Sequence, residues 1–433
     1  MIYTIVICAI FFCAAAMWLI RFFGESGFKY PNNRYLDFIM ADNAFTTVGE
    51  SSTRNECIKI FLFALIFRIF IFLLGWLAYG IFSNGQPASL GDYCNSWNVW
   101  DAPHFIDIAQ NGYGHAVDDG RFLLLVFFPI YPLLIKFFNL FIGNYAISGL
   151  IISTLFYSLG CVIMYKLVIK DYNKSIARKS IIFLSVYPFA FYYGGIMTES
   201  TFFLVIMLTF LAIREHKWVL AGIFGAIAAL TRSFGVLMII VAAVEWCQEN
   251  QPFAKIKDKQ WKKLGKTILT VMPILIIPLG TLIYLYINYY VAGDALIFAK
   301  YQEDNWSMHL QFFGKTLHFL WRQIFSGDAS WTILCCLYLP EFIVIPLISV
   351  LILYSVRRTR SMYVAFVLMY FIFNVAASWP LSVSRYLACM FPIFWIMGEY
   401  TERHKGLELP LTAIMAIGFG IYLTGYITLH QIM

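Results

Sequence analysis

The sequence WNVWDAPHFIDIAQNGYG, residues 97–114, places two acids, a histidine and two tryptophans together in a chain that is otherwise strongly apolar. Asp101 has the chemistry of a general base, because a carboxylate partly buried at a lipid surface can take a proton from an acceptor hydroxyl. His104 could then orient the substrate. The alternative is that Asp101 only caps a short helix, since it precedes Pro103, a residue suited to a first helical turn.

The sequence APHFIDIAQ predicts a short helix that ends at Asn111 and Gly112. His104 and Asp107 are three residues apart and would share one face of it. Trp100 would lie with neighbouring aromatic side chains among the lipid headgroups. We therefore include Asp107 and Trp100 with His104 as candidate substrate-binding residues.

Three further charged residues lie between apolar segments: Glu199 in GGIMTES, Arg232 in ALTRSFG and Arg385 in WPLSVSRY. Arginine suits a lipid phosphate, because its planar fork binds two oxygens at once. Charged groups at membrane depth are costly, so they pair or mark a functional site. The alternative is that Glu199 and Arg232 form an ion pair that only ties helix ends together.

The elements that must position these residues are membrane helices. The chain is 61% hydrophobic and 13% charged, whereas soluble proteins carry about 25% charged residues. Long apolar segments favour helices over a barrel. We predict an all-α polytopic membrane protein of about 12 spans, at residues 2–22, 58–82, 144–169, 180–194, 198–213, 217–230, 234–247, 268–291, 332–355, 362–378, 386–399 and 409–430.

The segment 122–141 contains Pro129 and Pro132, which interrupt a regular helix, and we predict an interfacial or re-entrant helix that does not cross. Lys and Arg then collect on one side, which the positive-inside rule assigns to the cytoplasm. These basic loops are 24–57, 170–179, 214–217, 255–266, 357–360 and 402–405. Both termini and all the candidate residues fall on the opposite, extracytoplasmic side.

Two long outer loops follow from this topology. Residues 83–143 form the predicted catalytic loop with its interfacial helices, and residues 292–331 form a second loop that covers the site. His309, Glu303 and Asp304 in the second loop could touch an acceptor, although solvated loop residues usually have no catalytic role. The whole chain, residues 1–433, is predicted to be one transmembrane domain.

Cysteine and histidine spacing gives no metal signal. The nine cysteines include no CxxC pair and no His/Cys cluster, so we expect neither a metal site nor a disulfide framework. No metal or other cofactor is expected to be needed. The composition of a multi-span membrane protein also indicates membrane lipids as partners and no nucleic acid.

WDAPHFIDIAQNGY followed by FFPIYPLLIKFF resembles the PIG-V family, mannosyltransferases that add the second mannose to glycosylphosphatidylinositol precursors. YPFAFYYGGIMTESTFF, AALTRSFGVL and, more weakly, SRYLACMFPIF resemble later parts of the same family in the same order. The chain departs from the family pattern in its first span, its basic loop 24–57 and much of the sequence after Leu237.

The resemblance implies a GT-C glycosyltransferase, a multi-span enzyme that transfers a sugar from a polyprenyl or dolichyl phosphate with inversion. Asp101 would then be the catalytic base, with His104, Glu199, Arg232 and Arg385 as site residues and the arginines as phosphate contacts. GT-C enzymes with such donors typically need no metal. The acceptor would be a glycolipid, a glycan or a protein, and the location a bacterial cell membrane, or the endoplasmic reticulum in a eukaryote.

Three other functions remain open from the sequence. A lipid or solute transporter would place charges at the membrane midplane in matching halves, and only Arg68 in ALIFRIFIF has such a place. Arg68 could equally extend its charged end to the surface or pair. A non-catalytic scaffold would tolerate Asp101→Asn. A GT-C enzyme for another sugar or a protein acceptor would differ mainly in the shape of its pocket.

Overall fold

The protein is an all-α membrane protein, seen in a computed structural model that describes residues 2–31, 33–40, 50–82, 89–115, 120–327, 329–378, 380, 382–428 and 432. No strand occurs among these residues, and one isolated antiparallel bridge joins Leu310 to Ala377. Parts of three predicted loops, namely residues 41–49, 83–88, 116–119 and 328, lie outside the described residues.

The first half of the chain contains α1 (Ile2–Glu25), α2 (Arg34–Met40), α3 (Arg54–Phe82), α4 (Leu90–Ser96), α5 (Ala102–Asn111), α6 (Ile130–Ile142), α7 (Tyr145–Val168), α8 (Lys174–Val186), α9 (Glu199–Arg214), α10 (Trp218–Ala229) and α11 (Met238–Asn250). The second half contains α12 (Pro252–Lys257), α13 (Trp261–Val271), α14 (Ile277–Ala292), α15 (Ile297–Trp306), α16 (Phe313–Phe325), α17 (Trp331–Ile333), α18 (Leu339–Ser355), α19 (Ser361–Val375), α20 (Val383–Leu387), α21 (Pro392–Arg403) and α22 (Glu408–Ile427). Single 3₁₀ turns span Leu123–Val126, Ala190–Gly194, Ser233–Leu237, Met272–Ile276 and Lys405–Leu407, and a π turn spans Leu334–Tyr338.

Each predicted span coincides with a helix, but only some of these helices are long. Within the described residues, six helical segments have the length and apolarity to cross a membrane: α1, α3, α7, the continuous α13–α14 segment, α17–α18 and α22 with its preceding turn. The other six predicted spans correspond to α8, α9, α10, α11, α19 and α21, which have 12 to 16 residues each. The prediction of a loop at 255–266 is wrong, because α12 and α13 occupy most of it.

The ambiguous segment 122–141 contains a 3₁₀ turn and the 13-residue helix α6. Pro129 occupies the N-cap position of α6 and Pro132 its first turn, so the prolines begin the helix instead of interrupting it. A helix of this length extends about 20 Å, which is too short for a hydrocarbon core of about 30 Å. The predicted spans α8, α10 and α21 are equally short, so helix length does not test the prediction that this segment does not cross.

The predicted basic loops gather at one end of the bundle. The segment 170–179 pairs with three of them, through Arg214 to Asp171 at 2.9 Å, Lys174 to Glu56 at 2.8 Å and Lys179 to Glu402 at 2.8 Å. The segment that contains α12 joins the same end, because the Phe253 amide donates to the Ser26 carbonyl. The grouping predicted from charge is therefore present in the fold.

Arg68 lies inside the bundle, so the alternative that it extends to the surface is wrong, whereas the alternative that it pairs holds, with a backbone carbonyl and an aromatic ring as partners. Its side chain is buried, its Nη1 donates to the Ala190 carbonyl at 2.7 Å, and its guanidinium lies 3.9 Å from the centre of the Tyr157 ring. The ring face attracts the cation in place of a carboxylate. Arg68 thus fastens the 3₁₀ turn Ala190–Gly194 to α3, and that turn carries an aromatic residue of the site described next.

Candidate active site

Asp101 stands at the N-cap position of α5 but does not cap it. Its side chain makes no hydrogen bond to the first turn of the helix. It accepts a hydrogen bond from Arg385 Nη1 at 3.2 Å instead, and the side chain keeps 31% of its exposure. The helix itself runs from Ala102 to Asn111 and is followed by Gly112 with φ of 76°, so it ends where its sequence predicted. The alternative that Asp101 serves only as a helix cap is therefore wrong.

Backbone strain flanks both partners of this ion pair. Trp100, directly before Asp101, has φ of 60°, and Ser382, three residues before Arg385, has φ of 68°. Neither is a glycine, and a left-handed conformation costs other residues of order 1–3 kcal/mol unless the surroundings enforce it. Strain of this kind collects at functional sites.

Arg385 is the centre of the cluster. Its Nε donates to Glu199 Oε1 at 2.8 Å, its Nη1 to Asp101, and its Nη2 to the Met197 sulfur at 3.2 Å. The guanidinium also lies 4.2 Å from the centre of the Tyr192 ring. With 4% of its side chain exposed, Arg385 is held in one orientation by contacts on every nitrogen.

Arg232 contacts the same carboxylate oxygen as Arg385. Its Nη1 lies 3.2 Å from Glu199 Oε1, so the ion pair that the sequence suggested as a tie between helix ends is present. Glu199 also contacts Arg385, however, and the Tyr386 ring lies 4.9 Å from the Arg232 guanidinium and 5.6 Å from that of Arg385. The buried Glu199 therefore joins two arginines into one unit, and its Oε2 has no hydrogen-bond partner among the described residues.

Both arginines remain cationic in this setting. Burial alone would lower the pKa of the Arg232 and Arg385 guanidiniums, but the Glu199 carboxylate beside them raises both pKa values above their usual range. Two fixed cations thus face two carboxylates, Glu199 and Asp101. An anion that entered would find cations that cannot lose their protons.

The cluster opens into a cavity of about 900 Å³, which is within the range of small-molecule sites. Asp101, Arg232 and Arg385 line it directly, whereas Glu199 lies behind them. The polar remainder of the lining consists of Thr198, Thr231, Ser233, Lys300, Gln302, Glu303, His309, Asn374 and Ser382. The apolar part of the lining contains aliphatic residues and eight aromatic ones: Phe105, Phe127, Phe128, Phe234, Phe298, Trp306, Phe373 and Tyr386.

The predicted second outer loop forms one wall of this cavity. Residues of α15 and the chain after it line the cavity, including Glu303 and His309 but not Asp304. The wall is joined to the chain after α19 by the Leu310–Ala377 bridge. Backbone hydrogen bonds from Gln311 to Ala376 and from Ser378 to His309 reinforce it.

The remaining predicted site residues lie beside the cluster. His104 stacks on Phe127 with ring centres 4.9 Å apart and does not line the cavity. Asp107 accepts hydrogen bonds from Asn111 at 2.7 Å and pairs with His115 at 3.1 Å, away from both arginines. Trp100 contributes its strained backbone, and its indole nitrogen is buried without a hydrogen-bond partner in the part of the chain that the structure describes.

Sequence reasoning missed the aromatic and sulfur contacts of the arginines. Tyr192, Met197 and Tyr386 surround Arg385, and Trp306 forms part of the opposite wall. The signal in the sequence was nearness along the chain, because Tyr386 follows Arg385 directly and Met197 lies two residues before Glu199. In the ranges that the structure describes, no group of three or more His, Cys, Asp or Glu side chains could hold a metal.

Comparison with known families identifies a related segment. Residues 128–286 match the sequence profile of the dolichyl-phosphate-mannose-protein mannosyltransferases, which covers somewhat over a third of the chain. The matched segment includes Glu199 and Arg232, whereas Asp101 and Arg385 lie outside it. No curated protein matches the sequence significantly. Over this segment the protein is similar to the dolichyl-phosphate-mannose-protein mannosyltransferases, which supports a GT-C glycosyltransferase of mannosyltransferase type.

Proposed function

We propose that the protein transfers mannose from a polyprenyl-phosphate donor to a hydroxyl of a lipid or glycan acceptor. The observation that carries the proposal is the contact between Asp101 and Arg385 at the rim of the cavity. It places a carboxylate able to take a proton beside a cation able to hold a phosphate. The match to mannosyltransferases that use dolichyl-phosphate mannose supports the donor class.

In the proposed reaction, Arg385 and Arg232 bind the phosphate oxygens of the donor. The acceptor hydroxyl attacks the anomeric carbon from the face opposite the phosphate, and its proton passes to Asp101. The bond between the anomeric carbon and the phosphate oxygen breaks, and its electron pair leaves with the phosphate. The products are an inverted mannoside and polyprenyl phosphate, whose added negative charge the two arginines stabilise.

The ion pair between Asp101 and Arg385 indicates an order of binding. While Arg385 Nη1 is held by Asp101, one oxygen of the carboxylate is occupied by a cation and is not available to the acceptor hydroxyl. A donor phosphate that attracts Arg385 would release Asp101 for the acceptor. Glu199 would keep the guanidinium in place during this exchange, because it binds Arg385 through a different nitrogen.

Two sources of support bear on the identity of the acceptor. The motif around Asp101 resembles the PIG-V family and favours a glycolipid or glycan acceptor, whereas the matched profile belongs to enzymes named for protein mannosylation. We propose an extracytoplasmic active site, because the cluster lies at the end of the bundle opposite the basic segments. A different sugar or a protein acceptor is the second candidate, favoured by that profile.

The test is sugar transfer by the purified protein in detergent. Radiolabelled polyprenyl-phosphate mannose serves as donor, with native lipid extract, a glycan fraction or Ser/Thr peptides as separate acceptors. Asp101→Asn should reduce transfer by about 10²–10⁴-fold, the usual contribution of a general base. Asp107→Asn is the matched control, since it makes the same change on the same helix outside the cavity.

Each outcome is informative. Transfer by the wild type and by Asp107→Asn but not by folded Asp101→Asn would support the enzyme and its base. If only the peptides became labelled, the acceptor would be a protein instead of a lipid or glycan. Equal transfer by wild type and Asp101→Asn would remove Asp101 from the mechanism. Absence of both donor binding and transfer in the wild type would refute the proposed function.

A further inference from the structure

A basic surface lies at the end of the bundle opposite the cavity. We define the basic patch as the exposed lysines of α12, α13 and the turn between them: Lys257, Lys259, Lys262, Lys263 and Lys266. Half-buried Lys255 adjoins them, and Asp258 is the single acid within the segment 252–271. Six positive charges against one negative charge occur here within 12 residues.

These lysines differ in their surroundings from five other cations at the same end. Lys170, Lys174 and Lys179 each reach a carboxylate within 3.0 Å, and Arg214 and Arg360 bind acids at 2.9 and 2.8 Å. No carboxylate among the described residues lies within ion-pairing distance of a lysine of the basic patch. The five cations, which stabilise the fold at this end, are neutralised by neighbouring carboxylates. The lysines of the basic patch have no such carboxylate in the part of the chain that the structure describes, so their charge is available to an external partner.

The position of the patch indicates a membrane as that partner. α13 continues through a 3₁₀ turn into α14, and together they form one of the long apolar segments. Lys262, Lys263 and Lys266 lie on one face of α13, while Trp261 and Leu264 lie on the other. Trp261 is 60% exposed at the start of this segment, a place typical of indole rings at the headgroup level.

Packing fixes this arrangement to the rest of the bundle. Leu264 is buried, and the Trp246 indole of α11 donates to the Thr267 carbonyl at 3.0 Å. α13 therefore cannot rotate its lysines away from the surface without loss of these contacts. The lysines are therefore held where the long apolar segment begins.

We propose that the basic patch binds the headgroups of anionic phospholipids in the leaflet at the end of the protein opposite the candidate active site. Lysines beside a membrane helix attract anionic lipids, by about five-fold per lysine near the surface at low salt. Trp261 anchors the same helix at the interface, so the lysine ammonium groups meet the phosphates without displacement of the helix. This site is separate from the donor site and does not depend on the proposed transfer.

The experiment measures lipid binding to the full-length protein in a neutral detergent by native mass spectrometry. Phosphatidylglycerol and phosphatidylcholine with identical acyl chains are titrated separately. The wild type should bind phosphatidylglycerol about ten-fold or more tightly than phosphatidylcholine, and K262Q/K263Q/K266Q should lose most of this preference. K262R/K263R/K266R should retain it, because the charge is unchanged.

The matched control is K136Q/K315Q/R322Q, which removes the same charge from exposed side chains of α6 and α16, outside the basic segments. It should leave the preference intact. Equal loss in both glutamine variants would show a general charge effect and overturn the proposal, as would retention of the preference in K262Q/K263Q/K266Q or its absence in the wild type.

Two further measurements need only the wild type. A rise in salt should weaken phosphatidylglycerol binding steeply, because exposed charges are screened within about 10 Å at 0.1 M ionic strength. Binding that is insensitive to salt would overturn the proposal even if the glutamine variant failed to fold. Inorganic phosphate at millimolar concentration should not displace the lipid, and displacement would indicate a site for free anions instead.

Discussion

The two ends of the helix bundle contain similar charged residues in different states of neutralisation. At the end with the basic segments, Arg214 binds Asp171 through two nitrogens and Arg360 binds Glu245 at 2.8 Å. Tyr363 adds a hydrogen bond to Asp171. At the other end, two arginines share one oxygen of Glu199, whose second oxygen has no partner among the described residues.

The difference lies in what the charges face. Asp171 and Glu245 are directed into protein and satisfied by several donors, as buried charges usually are. Asp101, Arg232 and Arg385 line a cavity of about 900 Å³, and two left-handed non-glycine residues lie close to them in sequence. Ion pairs at helix ends therefore do not identify a site. An incompletely satisfied carboxylate beside a cavity separates the candidate site from a structural network, whereas positive φ does not, because His216 next to Glu245 also has φ of 55°.

Replacement of the central carboxylate at each end gives the largest expected effect. Glu199→Gln leaves two nearly buried arginines without their shared counter-charge and should lower the free energy of unfolding by about 3–5 kcal/mol. Glu245→Gln should cost less, about 1–3 kcal/mol, because its arginine partners are 31% and 22% exposed. Thermal unfolding in detergent measures both.

Transfer per folded molecule separates the two variants. It should fall for Glu199→Gln and persist for Glu245→Gln. Equal transfer by both folded variants would contradict the distinction between a functional and a structural network.

Arginine-to-lysine changes test the same distinction with charge retained. Arg385→Lys replaces a guanidinium that makes three contacts and lies over the Tyr192 ring by one ammonium group, which cannot reproduce them all. Transfer should therefore fall by about 10²–10³-fold, as is typical when a group that stabilises transition-state charge is lost. Arg360→Lys, at the other end, should leave kcat and the donor KM unchanged. Wild-type kinetics in Arg385→Lys would exclude its role at the phosphate.

Close packing beside Arg232 gives a smaller effect. A Cβ added at Gly235 would lie 2.1 Å from the carbonyl carbon of Ala228, so Gly235→Ala must displace the 3₁₀ turn that follows Arg232. We expect a loss of about 1–3 kcal/mol in stability, with weaker donor binding. Thermal unfolding and donor titration measure the two effects. Unchanged donor binding would mean that Arg232 does not depend on this turn.

Gly265→Ala should give the smallest effect, in the opposite direction. Gly265 lies on exposed α13, and a Cβ there would meet no atom of the described residues within 4 Å. The change should stabilise the helix by about 0.5–1 kcal/mol and leave transfer unaffected. A higher melting temperature with normal kinetics would agree, and a loss of activity would connect the basic end to the chemistry.

Much of the site followed from sequence because topology constrains charge. Alternate helix ends face the same side, so the order of apolar segments alone groups Asp101, Glu199, Arg232 and Arg385, and the fold brings them together through ion pairs. The all-α membrane fold followed from apolar segments of sufficient length. These inferences depend only on periodicity and on the cost of charge in lipid.

The features that the sequence could not reveal depend on tertiary contacts. The three-residue spacing predicted that His104 and Asp107 share one helix face. It could not show that His104 would stack on Phe127 or that Asp107 would pair with His115. The local N-cap pattern at Asp101 could not reveal that Arg385, 284 residues away, would take its carboxylate. The positive φ of Trp100 could not be predicted from the sequence either, because bulky residues rarely adopt this conformation.

The bridge between Leu310 and Ala377 has a consequence for binding entropy. The segment between α14 and α17 is long, and long connections retain conformational freedom that a ligand must remove. The bridge attaches the middle of this segment to the chain after α19. The segment is thereby divided into two shorter loops, and each has fewer conformations to lose when a ligand binds. The wall that carries Glu303, Trp306 and His309 is thus ordered before any substrate enters, and a ligand that contacts it retains more of its binding free energy as affinity.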